Sequence, residues 1–165
     1  MTITRDEELE KLRVIGGIVA RTLEAMRKAL EPGMTTRELD DLGRALLERE
    51  GARPAPELAY GFPGATCISV GPDVAHGIPG ERRIAPGDLV NIDVSAEKDG
   101  FFGDTGASFA VPPVAPKIER LCRDGGVICG QSLMSLADTA MVFAVCAASG
   151  RYRNMATVDQ TTHFM

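Results

Sequence analysis

The stretch from Asp88 to Val111 constrains this chain more than any other. Asp88-Leu89-Val90-Asn91-Ile92-Asp93-Val94-Ser95 alternates polar and apolar residues, with Leu89 out of step with the polar set Asn91, Asp93 and Ser95. Period two is the mark of a strand with one buried and one polar face. Phe101 to Val111 follows after Glu97-Lys98-Asp99-Gly100, a short connection with the glycine that hairpins favour, so the two runs should pair antiparallel. If the loop comprises residues 97 to 100, Ala96 faces Phe101 and Asp93 stands directly opposite Asp104. If the turn is only Asp99-Gly100, Asp93 faces Gly106 instead. Spacing leaves both registers open. In the first, two carboxylates converge with Cβ atoms about 4.5–5.5 Å apart, and their repulsion requires a proton or a cation between them. Divalent Mg, Mn, Fe, Co or Zn would suit oxygen donors, and a bridging carboxylate pair can hold two ions. The competing reading makes Asp93 and Asp104 ordinary solvated strand residues.

Helices are expected before the hairpin. Leu9, Leu12, Ile15, Val19, Leu23, Met26 and Leu30 recur in steps of three and four from Asp6 to Leu30, which predicts one amphipathic helix. Glu31-Pro32-Gly33 ends it, and Thr35-Thr36-Arg37-Glu38 has capping-box spacing, in which Thr35 and Glu38 satisfy each other's free backbone donors. The second helix turns Leu39, Leu42, Leu46 and Leu47 inward and stops before Gly51, suited to a left-handed cap. Arg53-Pro54-Ala55-Pro56 reads as a stiff connector and Thr66 to Val70 as a strand. Pro112-Pro113 and Pro116 form a linker, and Lys117 to Arg123 could begin a helix.

Composition narrows the function. A net charge of −5 gives no basic footprint for nucleic acid. Cys67, Cys122, Cys129 and Cys146 include no C-x-x-C pair, and only two histidines exist, so a Cys/His zinc site is poorly supported and reduced thiols in a cytoplasm fit best. The N-terminus has neither the basic start nor the apolar core of a secretory signal. Val127 to Gly150 is long enough to cross a bilayer, but Gln131 and Asp138 argue against membrane insertion, since a central Asp costs about 2.5–3.5 kcal/mol. Gly125 to Ser132 has phosphate-loop glycines but Gln131 where the lysine belongs, so glycine coincidence is the better reading.

Read together, Tyr60-Gly61-Phe62-Pro63, Thr66 to Val70, Val74-Ala75-His76-Gly77-Ile78-Pro79, Gly87 to Val94 and Asp99-Gly100-Phe101-Phe102-Gly103-Asp104-Thr105-Gly106 resemble type I methionine aminopeptidases, in order and spacing. The resemblance runs from the first helix to about Asp124. It implies an α/β (α+β) chain with part of the pita-bread fold, helices packed on a curved antiparallel sheet, and a centre of two divalent metal ions (Co, Mn, Fe or Zn). By motif position Asp93 and Asp104 match metal ligands, with Asp104 bridging. His76 matches the catalytic histidine that contacts substrate, and Phe62 and Cys67 match residues lining the methionine pocket. The implied reaction removes the initiator methionine from nascent peptides, with the ribosome as a candidate partner. The metals would activate a water and polarise the scissile carbonyl, and the imidazole of His76 could manage a proton there. Outside such a motif a lone loop histidine is usually structural or merely exposed, and Cys67 an ordinary buried thiol.

The pattern fails downstream. The family completes its metal site with a histidine in a His-Gly-x-Gly context and two later glutamates. Here the only other histidine is His163, without those glycines, and no glutamate follows Glu119. Residues 1–124 are therefore expected to form the N-terminal part of a catalytic domain, and 125–165 a divergent tail from a truncated or altered reading frame. Activity should be impaired. The alternatives are a noncatalytic pita-bread-like fragment that binds a partner, or a prolidase-like or creatinase-like enzyme sharing the aspartate pair; Tyr60 to Pro63 and Ala75 to Pro79 favour the methionine enzyme.

Overall fold

The first helix, α1 (Asp6–Ala29), buries Ile15, Ile18, Val19, Thr22, Leu23 and Met26, the central part of the stripe read from the sequence, while Leu9 at its start stays exposed. These are features of a computed structural model that describes residues 5–73 and 75–124. The tail 125–165, with its apolar stretch, its glycine run and His163, lies outside the described residues. So does Val74.

The helix α2 (Thr36–Arg49) begins at the capping box: the Glu38 backbone N–H donates to Thr35 Oγ1 at 3.1 Å, and the Thr35 N–H donates to Glu38 Oε2 at 2.7 Å. Leu39 and Leu47 are buried as expected, whereas Leu42 and Leu46 are half-buried. Gly51, just beyond the helix, has φ +69°.

The stiff connector is instead two elements, a short strand β1 (Arg53–Pro54) and a helix α3 (Ala55–Tyr60). Proline is compatible with both, because the first turn of a helix needs no backbone donors and a strand edge tolerates their loss. Next come β2 (Cys67–Val70), β3 (Leu89–Lys98), β4 (Phe101–Ala110) and α4 (Pro116–Asp124).

The sheet is organised by β3. It pairs antiparallel with β4 along one side and, along the other, with β1 near the hairpin turn and with β2 at its beginning. Val90, Ile92, Val94 and Ala96 of β3 are fully buried. With Gly103 on β4 they form the face on which α1 lies; a Cβ at Gly103 would stand 3.1 Å from both Cγ1 and the carbonyl oxygen of Ile15. Asn91, Asp93 and Ser95 point the other way, as alternation requires.

The four-residue loop is overturned. Lys98 pairs with Phe101, leaving only Asp99 and Gly100 in the turn, and Asp93 faces Gly106 while Ser95 faces Asp104. Asp99 at φ +53° and Gly100 at φ +85° supply the two positive φ values that a primed two-residue turn needs to follow the strands' twist. Glu97 thus belongs to the strand. Its buried carboxylate accepts from Gly100 N at 2.6 Å and from Arg53 Nε at 2.8 Å, which closes the turn. Among the described residues, no helix is long and apolar enough to cross a membrane.

Candidate metal and substrate site

Although the register differs from the one that set the aspartates opposite each other, Asp93 and Asp104 still share a face. Gly106, opposite Asp93, is two residues from Asp104, so the carboxylates are diagonal neighbours, within reach of one another across the hairpin. Gly106 adds no side chain beside the pair; a Cβ there would lie in ordinary contact with Asp93 Oδ1, at 3.4 Å. Ser95 Oγ donates to Asp104 Oδ1 at 2.6 Å and orients that more exposed carboxylate.

Burial first, then the Asp104 charge and a hydrogen bond shared with it, pushes the Asp93 carboxyl up to about 7. Among the described residues no cationic side chain opposes these causes. A half-buried carboxyl beside another therefore has a standing affinity for a positive partner, either a proton or a metal ion. Oxygen donors of this kind fit a hard or borderline divalent cation. They form only part of a coordination shell, because the described residues contain no group of three His, Cys, Asp or Glu that could hold a metal ion.

Cys67 faces Asp93 from β2 and is buried. Burial foremost, followed by the charges of Asp93, Asp40 and Asp104, pushes its thiol up to about 11, so the side chain is a neutral wall rather than a nucleophile. Phe62 is half-buried, and it stands within 3.3 Å of a Cβ built on Gly64, as Pro79 does at 2.9 Å. The Phe62 loop and the His76-to-Pro79 loop therefore pack on each other at Gly64.

His76 is exposed and has φ +54°, a conformation uncommon outside glycine. Its neighbour Gly77 runs along the outer edge of β2: Ile68 N donates to Gly77 O at 2.9 Å, and Gly77 N donates to Ser69 Oγ at 3.0 Å. A Cβ on Gly77 would come within 2.2 Å of Ile68 O. The histidine loop is thus fastened to the strand that pairs with the aspartate strand, next to Cys67.

Three contributors escaped the sequence reading. Ser95 and Ser69 looked like ordinary polar strand positions. Asp40 looked like a surface residue of α2, yet it is buried and accepts from Ala65 N at 3.1 Å, Thr66 N at 2.7 Å and Thr66 Oγ1 at 2.7 Å. The only available signal was a polar residue recurring on the apolar side of that helix.

Helices cover one side of the antiparallel sheet and the paired carboxylates stand on the other. The chain belongs to metallopeptidase family M24, whose model matches residues 10–125. Within that family it is similar to methionine aminopeptidase 2 of Bacillus subtilis (strain 168), with 52% identity over 124 residues, covering 74% of this chain and 50% of the relative. Among solved structures it superposes on methionine aminopeptidase from Rickettsia prowazekii with a TM-score of 0.69 and 37% identity, covering 74% of this chain and 50% of that one. The Thermotoga maritima methionine aminopeptidase gives a TM-score of 0.70 at 31% identity, with the same shares. The described fold is accordingly part of the pita-bread fold, and the chain spans about half the length of the relatives it matches.

Proposed function

We propose that this chain acts on the N-terminal methionine of nascent peptides, with Asp93 and Asp104 as ligands for divalent metal and His76, Phe62 and Cys67 on the substrate side. The observation that carries this reading is the diagonal carboxylate pair, whose half-buried member is pushed up to about 7 by burial and by the neighbouring Asp104 charge. Bound divalent ions would supply Lewis acidity and an activated water. The chain's own residues do the rest. Ser95 orients Asp104. Cys67 and Phe62 offer an uncharged, apolar wall suited to a thioether side chain. Exposed His76, held on its loop by Gly77, offers an imidazole that can donate or accept a proton beside the substrate. Co, Mn, Fe and Zn all suit these donors, and two ions per site is the expected number.

Among the described residues two carboxylates are a short donor set, so we expect residues 1–124, which carry the catalytic-domain portion, to bind metal weakly by themselves, with 125–165 outside that portion. A second reading, a noncatalytic half-fold that binds a partner such as the ribosome, draws support from the exposed apolar side chains Leu58, Tyr60 and Ile78.

The test is calorimetric titration of the folded chain with Co²⁺ or Mn²⁺, repeated on Asp93→Asn and Asp104→Asn, alongside methionine release from a Met-Ala-Ser peptide. Binding abolished by either substitution, with slow methionine release, is the expected result. A folded chain that binds no metal and releases no methionine would overturn the catalytic reading in favour of the binding module.

A further inference from the structure

Three polar residues of α2, Thr36, Asp40 and Arg44, recur every fourth position and so lie on one stripe of the helix. Each reaches a different segment. Thr36 is buried and bonds Gly80 twice, its Oγ1 accepting from Gly80 N at 2.9 Å and donating to Gly80 O at 3.1 Å. Gly80 closes the loop that carries His76. Asp40 takes the three hydrogen bonds from Ala65 and Thr66, the residues between the Phe62 loop and Cys67. Arg44 forms a two-pronged ion pair with Glu57 of α3, one prong being Nη1 to Oε2 at 3.0 Å. That helix leads through its left-handed cap Gly61 into Phe62.

A polar stripe on the packed side of a helix is costly unless every group finds a partner. Here no buried side-chain nitrogen or oxygen lacks one among the described residues. The three partners lie in three separate segments, and those segments carry the residues assigned to the substrate side. None of the three contacts touches Asp93 or Asp104.

We propose that the Thr36, Asp40 and Arg44 stripe positions the substrate pocket, each residue setting one pocket segment, separately from the metal-binding hairpin; the pocket assignment rests on the methionine aminopeptidase reading above. These are positioning residues. They act through His76, Cys67 and Phe62 and contact no reacting atom.

The test is amide hydrogen exchange on the full chain carrying Thr36→Val, Asp40→Asn or Arg44→Met, with Thr36→Ser as the conservative control. Thr36→Val should speed exchange tenfold or more at Gly80 and also at Gly77, whose amide bonds Ser69 rather than Thr36. Asp40→Asn, which turns a donor toward donors, should do so at Ala65 and Thr66, and Arg44→Met at Gly61 and Phe62. The amides of Ile92 and Val94 should change less than twofold, and Thr36→Ser should restore the parent pattern. Exchange that rises together in all segments and in β3 would overturn the proposal, because the stripe would then serve only global stability; unchanged exchange at the named segments would overturn it too. In parallel, each variant should weaken binding of L-methionine tenfold while leaving Co²⁺ affinity within twofold. A parent chain that binds no methionine defeats the functional reading alone, and the exchange pattern then decides the positioning claim by itself.

Discussion

At His76 and Gly77 two adjacent residues have opposite steric demands. A left-handed φ costs a non-glycine residue roughly 1–2 kcal/mol, so His76 holds its place against its own backbone preference. Replacing it with glycine relieves that cost and adds about 0.5–1 kcal/mol of chain entropy to be lost. We expect His76→Gly to be no less stable than the parent in urea titrations, and up to about 1.5 kcal/mol more stable, while failing to release methionine. Gly77→Ala should do the reverse to stability, costing about 1–3 kcal/mol, because its Cβ would meet the Ile68 carbonyl at 2.2 Å and neither backbone can yield freely. Asp93 has its own signature in the metal-free chain. Its carboxyl is raised to about 7 in the folded state, so the folded chain holds a proton that the unfolded chain has released, and stability falls as pH climbs from the ordinary carboxylate range through 7. Urea midpoints in EDTA should therefore be higher at pH 5 than at pH 8, with a smaller difference in Asp104→Asn.

Among elements, the capping box at α2 is the most directly checked. Thr35→Ala removes the acceptor for the Glu38 N–H and should cost about 1 kcal/mol, read from a shift in urea midpoint at constant slope. This start was legible because its spacing is local, and α1 was legible because its apolar period survives over many turns. The polar face of β3 was equally plain from alternation. The turn was legible only in part: Asp99-Gly100 is a pair that a two-residue primed turn favours, but Glu97, read as loop, is instead a strand residue whose carboxylate is engaged by Arg53 from another strand. No local pattern reports that contact. For α3, Pro54 and Pro56 obscured a helix whose first turn accommodates them. Asp93 and Asp104 share a face in either register, but the sequence reading tied their convergence to the four-residue loop and did not anticipate the diagonal that the two-residue turn creates, whereas Asp40 and Thr36 depend on segments far along the chain and left almost no trace in the sequence.

For the whole molecule, metal binding and folding should be linked. An ion at a hundredfold excess over its dissociation constant adds about 2.7 kcal/mol, and for a chain of 165 residues each kcal/mol is worth about 2–4 °C. Saturating Mn²⁺ should thus raise the melting temperature by about 5–10 °C, and Asp93→Asn should abolish the rise. The same hairpin carries a hazard of a different kind. Its carboxylates stand on opposite arms of a turn that contains only Asp99 and Gly100, so their meeting depends on parity. Loss of a single codon between Asp93 and the turn would leave both aspartates in the sequence and rotate Asp93 to the side packed against α1. In this scaffold the count of residues between the two aspartates is as much a part of the site as the aspartates themselves.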